Sequence, residues 1–585
     1  MSSLDKLYQK ELKLLKSSAQ VFSEQHPALT EHLARQSNDP DVEMILQGVA
    51  YLSAQFKQEV DNAFPQAIQS LSQVLTPTLM QPLPSAAILS FKPKTNLLKP
   101  MLIEAGKCFD SEPVGYNTSK QHCRFTNSWP IEVLPIELNT VTTKLADKLH
   151  DSQNQRVIHL KFDFDASRND IANYEFGKLR LHLNQALPDA SLWLLMFARN
   201  VNGIVIKDDI GEHLLSAQKV KLIGFDTDAK LFQYDDAAPL HQLLQEYFTF
   251  PEKFMCVELD IQSWQQRAGV AFSITVEFDQ PNWALPEIDV SHFHLYTSPV
   301  VNEFEHFAEP LTLSESQHEF PIYSKFDALS GDLNLEIVDV LSVEGVKQNR
   351  QTNRKFENAL RPKKLNSDKP GYHFYRKFGP QDGITSTWLG LSFSSKYPLE
   401  QDEILRAKVK CSQGRLAEQV TLGQLRKPTS SSPELVHFEN ITVCSEFQHA
   451  QVATHTAWQV ISDQALSLNA IKDAEQLKKI LSHHIPKQTK LSAKQKTNLF
   501  RIAAIESVQV SAKDHFYQGV ITRGKEIQVG FNGEHFSNIG DQFLFSAVLN
   551  QLFALQTPLN SFCQLVTIDL RTGEQMQWPM LMGSL

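Results

Sequence analysis

The hydrophobic pattern of this chain changes period at Pro82-Leu83-Pro84, and that change governs what each part can fold into. Before it, apolar residues recur at steps of three and four, the spacing that lines one face of a helix. Leu4, Leu7, Tyr8, Leu12, Leu15, Ala19 and Phe22 form one such stripe, with Lys6, Lys10, Lys13 and Lys16 mostly off it. A second helix opens at Asn38-Asp39-Pro40, where Asp39 is a good N-cap and Pro40 sits where a missing N–H costs nothing. Val42, Ile45, Leu46, Val49, Leu52, Phe56, Val60 and Phe64 are expected on its buried face, and Pro65 closes it. Ile68, Leu71 and Leu75 give a third, shorter helix. Long amphipathic helices need a cover, either one another in a bundle or helices of a partner subunit. In the second case Leu46, Val49, Phe56 and Phe64 are the interface residues.

After Pro84 the period falls to two. Ile158, Leu160, Phe162 and Phe164 alternate with polar residues, as do Phe272, Ile274, Val276 and Phe278, the pattern of half-buried antiparallel strands. Further strands are expected at 86–91, 292–296, 388–393 and 404–410, with a helix near 241–248. Two polar stretches, 347–369 and 426–434, have the composition of loops or linkers. Beyond them the periods mix. A strand is expected over 458–468, a helix capped by Asp473, and a strand through Ile527, Val529 and Phe531. An amphipathic helix is expected from Asp541, then a hairpin turning at Thr572-Gly573. The reading is a multidomain α+β protein. Its expected segments are helical (1–84), β-rich (85–296), again β-rich (297–430) and mixed α/β (431–585). A chain of 585 residues is too long for one core, which agrees with several domains.

Charge and cysteine usage narrow the class. A net charge of −10 argues against a nucleic-acid footprint over the whole chain. The polar N-terminus lacks the apolar core of a signal peptide, and no stretch approaches the roughly 18 apolar residues of a membrane span. Cys108, Cys123, Cys256, Cys411, Cys444 and Cys563 are scattered without metal-ligand spacing and fit reduced thiols in a cytoplasm.

Motifs that carry catalysis are missing. The chain has no Walker loop, glycine-rich dinucleotide turn, nucleophile elbow or zinc-binding His-Glu-x-x-His. His483 and His484 are adjacent, so on a helix they diverge by about 100 degrees and cannot face one metal; a helix C-terminus suits them better. Asp163 and Asp165 share a strand face and would be the first suspects in a β-rich hydrolase, but beside Lys161 they fit a solvated sheet surface. Asp208-Asp209 and Asp235-Asp236 read as loop acids, and Cys411 as a structural thiol. No catalytic residue, cofactor or metal ligand is assigned.

Several blocks resemble one family. Tyr8-Gln9-Lys10-Glu11-Leu12, Asp39-Pro40-Asp41-Val42-Glu43, Asp61-Asn62-Ala63-Phe64-Pro65 and Leu75-Thr76-Pro77 open the match. Its most specific block is Leu243-Leu244-Gln245-Glu246-Tyr247-Phe248-Thr249-Phe250-Pro251-Glu252-Lys253-Phe254. Asn302-Glu303-Phe304, Glu309-Pro310, Arg523-Gly524-Lys525-Glu526, Gly540 through Phe545 and Leu559-Asn560-Ser561-Phe562 follow in order. Together they resemble the TssF (ImpG, VasA) family of type VI secretion baseplate subunits, over about residues 8–579. Cys411-Ser412-Gln413-Gly414 and 463–469 depart from the usual form, which bears on local loop contacts. The resemblance implies a non-catalytic scaffold without cofactors, nucleic acid or membrane insertion. It implies two copies embracing one TssG in a wedge that also carries TssK and TssE. Wedges would surround the VgrG hub and seed the sheath, in the cytoplasm at the inner face of the envelope. A wedge subunit of another contractile injection system or phage tail is the alternative.

Overall fold

The computed structural model describes residues 81–583 except 116–119, 148–155, 167–169, 227, 234–238, 314–318, 327–332, 348–352, 361–369, 379–384, 394–402, 451–472, 486–491 and 518–519; before residue 81 it describes Tyr8, Gln9, Leu12, Lys13, Leu15, Met44 and 47–55. The chain divides into two units, residues 1–75 with 452–458, and residues 76–451 with 459–585.

In the first unit the described residues are helical, as their spacing predicts. The rings of Tyr8 and Tyr51 meet in an edge-on contact, with centroids 6.4 Å apart. Ala50 and Ala54, four residues apart, are the buried pair. Val49 and Leu52, expected on the buried face, are exposed instead, as are Met44 and Tyr51. Small residues permit close approach of helices, so the alanines turn inward and the larger apolar side chains turn out. Leu46, Phe56 and Phe64 lie outside the described residues, as do the strand expected over 458–468 and the acids Asp235 and Asp236.

The second unit is mainly sheet. The two alternating runs pair with each other, Phe164 opposite Phe272, Phe162 opposite Ile274 and Leu160 opposite Val276. They form the centre of a five-stranded sheet ordered Glu212–Ser216, Val201–Lys207, Ala271–Asp279, Arg156–Asp165, Glu137–Asp147. Their aromatic face is buried, and the polar face carries Lys161, Asp163 and Thr275.

A six-stranded sheet is ordered Lys427–Pro428, Cys108–Asp110, Arg124–Asn127, Thr297–Val301, Ala86–Pro93, Val436–Asn440. It takes strands from three of the four expected segments, so 296/297 and 430/431 both fall within it. Of the 426–434 stretch, Lys427–Pro428 forms the edge strand of this sheet and the rest is a turn fastened to it, a loop rather than a linker. Thr429 and Ser432 hydroxyls donate to the Cys108 carbonyl at 2.7 and 2.8 Å, and Ser431 Oγ accepts from Cys108 N–H. The polar stretch 347–369 likewise contains a strand, Arg354–Asn358. In it Arg354 is buried, 3.1 Å from Glu403 and flanked by the rings of Phe356 and Phe393. An eight-stranded sheet lies wholly within residues 304–412 and closes its own core.

The C-terminal part contains a β-α-β crossover. Val520–Phe531 pairs in parallel with Phe562–Asp569, and the intervening helix Ile539–Leu555 packs on the sheet. That helix is buried nearly all round rather than amphipathic, and its N-cap is Asn538, whose side chain accepts from Asp541 N–H. Its outer side meets Leu187–Arg199, another apolar helix. Gly540 makes the approach possible, because a Cβ there would overlap the Ser191–Leu192 backbone. Gly540→Ala should therefore destabilise by about 1–3 kcal/mol, against its helix propensity, in urea unfolding followed by circular dichroism.

Candidate functional site: motif core and exposed faces

The most specific block folds as the helix Pro239–Thr249 and the 3₁₀ turn Pro251–Phe254. Pro251 ends the helix, since it lacks an N–H for the next turn. Leu243, Leu244, Gln245, Glu246, Tyr247 and Phe248 are all 0–6% exposed, and Pro251 and Phe254 are buried as well. A helix packed on every side holds its carboxylate only if that charge is met. Glu246 Oε1 accepts from Leu231 N–H at 2.8 Å, Phe232 N–H at 3.3 Å and Gln242 Nε2 at 2.9 Å. Its Oε2 pairs with Lys253, itself 1% exposed. Burial holds the Lys253 ammonium below the usual lysine range, and the Glu246 charge pulls it back. The pair locks the loop at 231–232 and the turn at 253 onto one helix.

Tyr247 carries the block into the C-terminal part. Its ring lies 5.9 Å from that of Phe545 and 6.0 Å from the Arg501 guanidinium, and burial raises its phenol pKa. Asn498 Nδ2 donates to the Phe248 carbonyl, and Arg501 donates to Asn498 Oδ1, both at 2.9 Å. Arg501 then meets Asp541 at 2.8 Å, both side chains nearly dry. Phe248 and Asn498 are 250 residues apart, which is why no local pattern announces the contact.

Asn302 closes a second junction. Its amide donates to the Arg124 carbonyl and to Gln413 Oε1, and accepts from Ser412 Oγ and Gln413 N–H, each at 2.8 Å. The segment that departs from the family form thus supplies Asn302's partners. Phe304 is buried next to it, while Glu309 and Pro310 are exposed. At the far end Gly524 lies opposite Phe562 in the parallel register, where a Cβ would overlap Phe562. Ser561 Oγ donates to the Arg523 carbonyl, and Asn560 takes φ 63°, a left-handed conformation that asparagine tolerates well. The blocks at Arg523-Gly524 and Asn560-Phe562 are therefore one contact.

Other titratable groups singled out in the sequence are engaged within the chain. His484 Nδ1 lies 3.0 Å from the Ile480 carbonyl, which only accepts, so that nitrogen carries the proton. His484 Nε2 then accepts from His241 Nδ1 at 2.7 Å. Burial pulls His241 down to about 4 and His484 well below its ordinary value, so both are neutral at pH 7. Asp163 accepts from Thr140 and pairs with Lys161 at 2.7 Å on the solvent-facing sheet surface. Asp208 accepts from Ile210 and Gly211 N–H as a loop acid. Burial pushes the Cys411 thiol up to about 12, the reverse of what a nucleophile needs. Among the described residues, no group of three or more His, Cys, Asp or Glu is placed to hold a metal ion. No helix there is long and apolar enough to cross a membrane.

Exposed apolar side chains gather elsewhere. In the first unit Met44, Val49 and Leu52 are 68, 47 and 66% exposed along one short run of helix. In the second, Phe516 and Ile521 face each other at the end of a two-stranded ribbon and are two-thirds exposed.

The chain is similar to known proteins over nearly its whole length. The chain is 22% identical to the type VI secretion system component TssF1 of Pseudomonas aeruginosa, over 99% of this chain and 98% of that one. It superposes with a TM-score of 0.76 and 23% identity on a chain of a cryo-electron-microscopy structure of a type VI secretion TssK–TssF–TssG baseplate subcomplex, covering 92% of this chain and 98% of the other. A chain from a structure of the type VI secretion baseplate complex superposes at 0.61 with 20% identity, covering 99% of each. The model of the family described as type VI secretion system, TssF, matches residues 1–585, and the chain belongs to that family.

Proposed function

We propose that this chain is a structural subunit of a type VI secretion baseplate and acts by holding neighbouring chains rather than by catalysis. The whole-length family match carries the reading. The packing agrees with it, because most of the motif side chains are spent inside the chain while apolar helix residues stand uncovered. Its partners are a TssG-type and a TssK-type subunit, with a second copy of this chain on the same TssG. TssE, the VgrG hub and the sheath complete the surroundings, at the cytoplasmic face of the envelope. Co-expression with the TssG-type protein of the same organism, followed by mass measurement, tests this. Two copies of this chain per TssG are expected. A chain that stays alone, or that turns over a small molecule or polymer above a heat-killed control, overturns the reading.

The interface assignment has its own test. Val49→Asp with Leu52→Asp places two carboxylates on the exposed helix face, where a covering partner would have to desolvate them at several kcal/mol. Co-purification is expected to fall at least ~100-fold with helix content unchanged by circular dichroism, because both positions are exposed in the chain itself. Undiminished co-purification would remove this face from the interface.

A further inference from the structure

The eight-stranded sheet is an insertion. All its strands lie between Phe304 and Ser412, and Phe320, Ile337, Leu389, Leu405 and Val409 fill a core separate from that of the neighbouring sheets. The chain enters it through Asn302-Glu303, directly from the strand Thr297–Val301 of the six-stranded sheet. It leaves through Ser412-Gln413-Gly414. The two connectors run side by side, since Phe304 pairs with Cys411. Gly414 has φ 59°, a left-handed turn that glycine takes without strain as the second connector bends away.

Among the described residues, three sets of contacts hold the insertion against its neighbours, beside further hydrogen bonds from Thr126, Arg124 and Gln413 at the connectors and a His449–Glu336 pair at 3.9 Å. The first is the set of hydrogen bonds at Asn302, which ties both connectors to the Arg124 carbonyl. The second is apolar and small: Val338 of the insertion joins Leu83, Ile88, Leu231, Phe232 and Phe250. The third is ionic. Lys410 lies 3.5 Å from Glu303 and donates to the Gln233 carbonyl at 2.9 Å. Glu303 is 7% exposed, yet its Oε1 has no hydrogen-bond donor among the described residues, and the charge of Asp339 adds to its cost. A buried carboxylate oxygen without a donor is relieved when water reaches it. Junctions between domains that are small and partly polar open readily, whereas the apolar cores on either side do not.

We propose that residues 304–411 are a pivoting unit, hung on the paired connectors 302–303 and 412–414, with the Asn302 side chain as its latch. Opening separates Val338 from its cluster and Lys410 from Gln233, and leaves both cores intact. One sequence thereby has two shapes, docked and swung. This inference concerns the chain itself and stands whether or not the baseplate reading does.

Hydrogen exchange of the full-length chain, followed by mass spectrometry, tests it. Peptides covering Arg124 and 412–414, where Arg124 N–H donates to Gln413 Oε1 and Gln413 N–H to Asn302 Oδ1, are expected to exchange together, at least ~10-fold faster than peptides from Ala271–Asp279 and Thr385–Ser392, because that protection is lost on pivoting alone. Asn302→Ala is expected to accelerate the first group by a further ~10-fold or more and to leave Thr385–Ser392 unchanged. Val338→Ala trims the apolar contact without touching the hydrogen bonds and is expected to act on the same peptides. The proposal is overturned if the connector peptides in the native chain are as protected as the two core strands, or if either substitution accelerates Thr385–Ser392 in step with them.

Discussion

Glu246→Ala is expected to lower stability by about 3–5 kcal/mol, enough to abolish soluble expression of a chain with ordinary reserves. The substitution removes the partner of a lysine that is 1% exposed and leaves its ammonium without compensation. It also removes the Glu246 acceptor from the Leu231 and Phe232 N–H groups and from the Gln242 amide, which keeps its bond to the Phe232 carbonyl. Lys253→Met is the companion case, since it strands the carboxylate instead. The double variant Glu246→Leu with Lys253→Met is expected to recover part of the loss, because replacing a buried pair by apolar groups is often nearly neutral. Recovery stops short of the native value, as the Leu231 and Phe232 N–H groups have lost the Glu246 acceptor. Soluble yield and urea midpoints of the three variants measure this. Equal loss in single and double variants would mean that the backbone contacts, not the charge pair, dominate.

Acidification from pH 7 to pH 5 is expected to cost about 3 kcal/mol or more. His182, His241 and His484 are each buried, and burial pulls the first two down to about 3 and about 4 and the third well below its ordinary value. At pH 5 the unfolded chain protonates these imidazoles and the folded chain does not, so stability rises with pH across this window. His182 and His241 each contribute about 2 kcal/mol between pH 7 and 5, at 1.36 kcal/mol per pH unit below 6.5, and His484 adds in the same direction. Glu303 opposes them. Burial raises its carboxyl to about 6, so the folded state binds a proton that the unfolded state does not, and this offsets about 1 kcal/mol. Urea unfolding at the two pH values checks the sum. A stability that is flat or rises on acidification would contradict the burial of these imidazoles.

What was legible in the sequence follows the range over which each contact acts. The runs 158–164 and 272–278 show their strands because one face is buried and the other wet, and they pair as their alternation requires. Asp473 shows its helix start because a cap acts within three residues, and its side chain does accept from Gln476 N–H. The helix Ile539–Leu555 hid its start and its setting, since burial on every side erases the 3.6-residue period that reveals an amphipathic helix. The hydroxyls of Thr429 and Ser432 read as mobile backbone because their partner, Cys108, lies more than 300 residues away. The family blocks were visible and their work was not. Leu243 to Phe254 identifies the chain, yet these residues form its internal frame, and the exposed face that the N-terminal pattern does present includes Val49.

The six-stranded sheet has a further consequence for how the protein is made. Ala86 N–H bonds to Ser445 Oγ, 359 residues later, and the strand Ala86–Pro93 pairs with Val436–Asn440. At roughly 5–20 residues per second, a ribosome delivers the second edge about 20–70 s after the first. Throughout that interval Leu89 and Phe91 lack the neighbour on one side, while the 304–411 insertion has all of its strands and can close beforehand. Nascent chains of this protein should accordingly lean on holding chaperones before residue 440 emerges, and arrest there should yield aggregates with one folded module inside.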